Sequence, residues 1–160
     1  MDTTEAMIFA SELAKQNLIT NNGGPFGAVV IKDGKIIGVG NNRVIGNNDP
    51  TAHAEVMAIR DACKNLDTYD LSGCIMVTSC YPCPMCLSAI IWANIKTVYY
   101  GNTKEDAADI GFRDDFIYKF LDKLNKNEKA DDILALHPSN RAITIEAFLD
   151  FKNKEDKTIY

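Results

Sequence analysis

Near the start of the chain, apolar Ala6, Phe9, Ala10 and Leu13 recur among polar neighbours between Thr4 and about Leu18. Residues three and four apart share one helix face, so this stretch predicts an amphipathic first helix used for packing. Asn21-Asn22-Gly23-Gly24-Pro25 breaks the pattern, and Phe26 to Ile31 follows as the apolar run of a strand ending at Lys32. Asp33-Gly34 then reads as a two-residue hairpin turn, because both residues accept positive φ. The returning strand runs from Lys35 to Asn41 and gives way to a polar loop, Asn42 to Asn48. Asp49-Pro50 predicts a helix start, with Asp as cap and Pro at the first helical position. That helix carries an apolar stripe of Val56, Ile59, Ala62 and Cys63 to lay on a sheet, and it places His53 and Glu55 in its first turn.

Cys74 to Thr78 has the character of a buried strand, Pro82 and Pro84 start a second helix through Trp92, and Lys96 to Gly101 is a further strand. A helix between two strands implies a crossover and parallel neighbours. The expected architecture is therefore α/β, a three-layer α/β/α sandwich with a mixed sheet of about five strands. Later segments predict a short helix over Glu105 to Ile110, another from Asp115 to about Leu124, and a charged loop from Lys123 to Asp132. An edge strand over Ala142 to Ile145 and a terminal helix over Glu146 to Lys154 complete the reading.

Composition narrows the class. With 160 residues, 46% hydrophobic and 24% charged, the chain fits a single globular domain spanning 1–160. No apolar run approaches the ~20 residues of a membrane span. Five cysteines, an odd count, and a polar N-terminus without the apolar core of a signal peptide point to a reducing, cytoplasmic setting. The formal net charge of −5 argues against a nucleic-acid partner, since phosphate needs a basic surface.

The chemistry lies in Pro82-Cys83-Pro84-Met85-Cys86 and His53-Ala54-Glu55. Two residues separate Cys83 from Cys86, so both thiolates can reach one metal ion from the first turn of a helix. The imidazole of His53 is a natural third ligand for zinc, which takes nitrogen and sulfur donors tetrahedrally. Three protein ligands leave a corner open for water, as a catalytic zinc requires. Glu55 can flank that corner without binding the metal, taking and returning protons. A redox or purely structural Cys-x-x-Cys would leave Glu55 without a purpose. So would the competing set of Cys80, Cys83 and Cys86, which strands His53 as well. Cys63 is assigned to the core.

His-x-Glu followed by Pro-Cys-x-x-Cys is the signature of zinc-dependent nucleobase deaminases. On these motifs, with Gly24 to Val29 and Asn48 to Glu55, the sequence resembles the cytidine deaminase-like superfamily over nearly its whole length. The segment Asp106 to Tyr118 looks most like the bacterial guanine deaminases. The resemblance implies hydrolytic deamination of guanine to xanthine and ammonia, with one Zn²⁺ per subunit on His53, Cys83 and Cys86 and with Glu55 as proton carrier. It also implies a purine-base site in which Phe26 packs on the ring, Asn42 bonds a ring heteroatom and Asp114 reaches the exocyclic amine and helps move its proton. Ala54 and Tyr160 join that site by the same resemblance. The family's C-terminal segment crosses to the partner of a homodimer, so residues 146–160 are expected to be exchanged between subunits. Tyr81 stands where these families commonly carry Glu, which alters the pocket wall. A tRNA adenosine, cytosine or guanosine deaminase would share the zinc motifs. A non-enzymatic zinc-binding module would need a fourth protein ligand.

Overall fold

The computed structural model describes residues 1–160. They divide into two compact units, Met1–Asp114 and Asp115–Tyr160. The first begins with α1, Thr3–Thr20, held at its start by a capping box between Asp2 and Glu5 and stopped by Asn21 in the left-handed region, φ 55°. Its inner face is Ala6, Ala10, Ala14 and Asn17. Small residues there let the helix lie almost on the sheet, and a Cβ at Gly27 would stand 2.1 Å from the Ala10 carbonyl oxygen.

Strands β1, Gly27–Lys32, and β2, Lys35–Asn41, form the expected hairpin. Asp33 and Gly34 both have positive φ, 48° and 73°, as the turn requires. The remaining strands are β3, Ile75–Cys80, and β4, Thr97–Asn102. The sheet order is β2-β1-β3-β4. β1 is antiparallel to both β2 and β3, whereas β3 and β4 are parallel. Their crossover runs through α3, Pro84–Trp92; α2, Ala54–Leu66, precedes β3, and the short α4, Lys104–Asp109, follows β4.

Alternation along the strands separates two cores. Ala28, Val30 and Met76 pack with Ala54, Ala58 and Ala62 of α2 and Ile90 of α3. Val29, Ile31 and Val77 pack with Ala6 of α1. Helices thus cover both faces of a mixed sheet, the three layers the sequence predicts.

Two expectations need correction. The sheet has four strands, because Ala142 to Ile145 belong to α6, Arg141–Asn153. The β-branched residues suggested a strand, but Ile145, Phe148 and Leu149 continue at helical spacing, and that period prevails. Nor does α2 begin at Asp49-Pro50. The Asp49 carboxylate accepts hydrogen bonds from the Thr51 amide at 2.8 Å and hydroxyl at 2.6 Å, closing a local turn instead of capping a helix. The helix starts at Ala54, with His53 as its N-cap residue.

The second unit holds α5, Asp115–Asn125, and α6, neither of which buries any of its own residues. Lys123, in the last turn of α5, lies 3.8 Å from Asp132 in the connection that follows. Two short helices enclose too little volume for a large core of their own.

Candidate active site

Two helix starts face one another. His53 precedes α2 and Cys83 precedes α3, each in extended backbone, and Cys86 lies in the first turn of α3 behind Pro84. The free N–H groups and positive dipole ends at these starts favour negative charge, as thiolates require. His53 Nδ1 lies 3.5 Å from both Cys83 Sγ and Cys86 Sγ. All three donor atoms fall within 4.8 Å of one another. A tetrahedral zinc, with bonds of about 2.3 Å to sulfur and about 2.05 Å to nitrogen, sets sulfur and nitrogen about 3.6 Å apart. The donors fit that ion in both type and spacing.

Protonation follows from this crowding. Hydrogen bonds from Cys86 and then from His53 hold the Cys83 thiol down at about 4, while His53 is raised by its bond to Cys83. Cys86, sharing the bond with Cys83 and partly desolvated, is pushed up. A metal that binds such donors displaces the protons they still hold.

Glu55 lies within hydrogen-bond reach of this cluster, outside the donor set. It is only 6% exposed, accepting from Thr78 Oγ1 at 3.1 Å and from Cys86 Sγ at 3.3 Å. Burial pushes its carboxyl above the ordinary value, against the hydrogen bonds from Cys86 and Thr78. Such a group binds a proton more readily than a solvated carboxylate, as a carrier must. Cys80 is not in the donor cluster. Its thiol faces the Thr103 carbonyl at 3.6 Å, and burial, aided by the Glu55 charge, raises it to about 11.

The other expected residues lie outside this donor cluster. Phe26 stacks edge-on against Phe112, centroids 5.1 Å apart, and lines a cleft of about 420 Å³ with Pro25, Cys80, Asn102 and Asp106. The three donors lie outside that lining. Asn42 is buried, its Oδ1 accepting from the Val44 amide at 3.0 Å, which leaves Nδ2 to donate. Ala54 is fully buried and offers only its backbone N–H, at the first helical position where the helix itself makes no demand on it. Asp114 is half-buried, and its charge reaches Cys80 together with those of Glu55 and Asp106. Tyr160, in the other unit, is 79% exposed. Tyr81 stacks on Tyr100 with centroids 4.9 Å apart, and Lys104 Nζ stands 5.2 Å from its ring.

Sequence reading missed Thr78. The signal was present, as a polar residue closing an apolar strand, but its partner Glu55 lies 23 positions away. Ser79, whose hydroxyl accepts from the Gly27 amide at 3.0 Å, was missed for the same reason.

The model of the cytidine and deoxycytidylate deaminase zinc-binding region matches residues 1–102. Guanine deaminase of Bacillus subtilis (strain 168) is 48% identical over 147 residues, covering 92% of this chain and 94% of that protein. The X-ray structure of guanine deaminase from Bacillus subtilis superposes with a TM-score of 0.91 at 44% identity, over 100% of this chain and 99% of that one. The tRNA-specific adenosine deaminase of Buchnera aphidicola subsp. Schizaphis graminum is 38% identical over 65% of this chain and 66% of its own. On a matched zinc-binding region and a near-complete relative, the chain belongs to the cytidine and deoxycytidylate deaminase zinc-binding family.

Proposed function

We propose that the protein is a guanine aminohydrolase, converting guanine and water to xanthine and ammonia. The observation that carries this reading is the buried carboxylate of Glu55 beside, and outside, a three-donor cluster. Similarity to guanine deaminase over nearly the whole chain supplies the substrate. His53, Cys83 and Cys86 would hold one zinc ion per subunit. When bound, zinc supplies the Lewis acidity that lowers the pKa of a water towards about 7. Glu55 takes the proton from the attacking water and returns it to the purine ring, and its raised pKa suits it to both tasks. Attack falls at C2, the carbon bearing the exocyclic amine. Phe26 packs on the ring, Asn42 donates Nδ2 to a ring acceptor, and the Ala54 N–H adds a backbone donor. Asp114 holds the exocyclic amine and helps protonate it as it leaves.

The whole chain acts as one deaminase domain in a cytoplasmic homodimer, with residues 146–160 exchanged and Tyr160 closing the partner's site. Exposed Phe148 and Ile143 of α6, 76% and 71% accessible, support a second copy as the cover for the C-terminal unit. A structural zinc module lacks support, because no fourth protein ligand joins the three.

Ammonia release is measured on a panel of guanine, guanosine, cytosine, adenine and a tRNA anticodon stem. The expected outcome is turnover of guanine above all others. Release from the tRNA stem alone would replace this reading with the tRNA one.

A further inference from the structure

Asn17 is a polar residue on the inward face of α1 and only 3% exposed. A buried amide is stable only when its hydrogen-bonding groups are matched. Here they are. Nδ2 donates to the carbonyl of Gly24 at 2.8 Å and to the carbonyl of Asn42 at 2.8 Å. Oδ1 accepts from the Thr20 hydroxyl at 3.1 Å and from Asn41 Nδ2 at 3.4 Å. Two carbonyl oxygens can only accept, so they fix which end of the Asn17 amide carries the nitrogen.

The two carbonyls it holds bracket Phe26. The Phe26 amide donates to Gly24 O at 2.9 Å, and the Phe26 carbonyl accepts from the Asn42 amide at 3.1 Å. One buried side chain therefore ties together the glycine turn before Phe26 and Asn42, the residue that follows β2. The fit is tight on the far side too, since a Cβ at Gly23 would stand 2.0 Å from Asn42 Oδ1. Neither loop has another side-chain link to α1 at these carbonyls.

We infer that Asn17 is a positioning residue for substrate recognition, setting the distance between the Phe26 ring and the Asn42 amide through its two N–H bonds. The inference rests on the purine-base reading of Phe26 and Asn42. Asn17 makes no hydrogen bond to His53, Cys83, Cys86 or Glu55, so its effect falls on binding of the base and leaves metal and proton transfer in place.

The test compares wild type, Asn17→Asp, Thr20→Val and Ala14→Gly as zinc-loaded proteins. Asn17→Asp turns two donors into an acceptor facing two carbonyls. It should raise KM for guanine roughly ten-fold or more while kcat falls far less and zinc content stays that of wild type. Thr20→Val, at an exposed position, removes one of the two bonds that Asn17 Oδ1 accepts, together with the Asn22 amide's bond to that hydroxyl, and should raise KM by a smaller factor with kcat unchanged. Ala14→Gly loosens the same helix without touching the amide, and should lower the melting temperature with KM unchanged. Unchanged KM in Asn17→Asp, or an equal rise in Ala14→Gly, overturns the inference. If Asn17→Asp does not fold, Thr20→Val decides by the same criterion. Wild type inactive on guanine would instead refute the purine-base reading itself.

Discussion

In the proposed reaction Glu55 is the residue on which the chemistry turns, and its environment makes the expectation specific. Glu55→Gln keeps the size and the bond from Thr78 but cannot carry a proton, so kcat should fall by about 10²–10⁴-fold or more with zinc content unchanged. Steady-state ammonia release with metal analysis checks it, and near-native turnover would remove Glu55 from the mechanism. Asp49 offers a second test, on stability. Its carboxyl is held below the usual 3.8 by the Thr51 hydroxyl and amide and then by Arg60, 3.3 Å away. A depressed folded pKa means the contribution is fully present above 3.8 and is lost as pH falls through the lowered value. Asp49→Asn should therefore melt below wild type at pH 7, and the two curves should converge in acid. A gap that persisted at low pH would show that the charge is not the cause.

Elements bring these residues together only because two of them approach closely. A Cβ at Gly40 in β2 would stand 2.3 Å from the Ala54 carbonyl oxygen and 2.5 Å from the Ala58 amide nitrogen of α2. The start of α2 carries both His53 and Glu55, so what pushes it off the sheet moves the donor set. Gly40→Ala should cost about 1–3 kcal/mol of stability through overpacking, and should weaken zinc retention as well. Urea unfolding and a chelator competition measure the two effects, and wild-type zinc retention in a destabilised variant would separate helix position from metal holding. The same element scale shows where sequence reading was sound. The Asp33-Gly34 hairpin and the Pro-started α3 follow from local backbone preference, which needs no partner. The start of α2 did not, because the Asp49 side chain had an alternative partner in Thr51.

At the scale of the molecule, the C-terminal unit carries large apolar side chains that stay open to solvent, among them Ile159 at 75% beside Tyr160. A small purine offers little area for binding, so exclusion of water behind it strengthens every polar contact in the site. Removing residues 157–160 should raise KM for guanine and lower kcat while zinc content and the proposed dimer persist, the metal because its donor residues lie elsewhere. Kinetics with metal analysis and light scattering follow all three. Full activity in the shortened chain would rule out the closing role of Tyr160.

The sequence by itself determined the donor types, the spacing of Cys83 and Cys86, the hairpin and the alternation that divides the two cores, because each depends on neighbours within a few residues. Tertiary structure decided the rest. Glu55 meets Thr78 across 23 positions and Cys86 across 31, and the fold buries it there, which raises its pKa against the pull of those two hydrogen bonds. Asn17 reads in the sequence as an ordinary polar residue on an amphipathic helix, and only the fold turns it inward to Asn42, 25 positions away. A side chain's chemistry is local to the chain, but its solvation and its partners belong to the folded state.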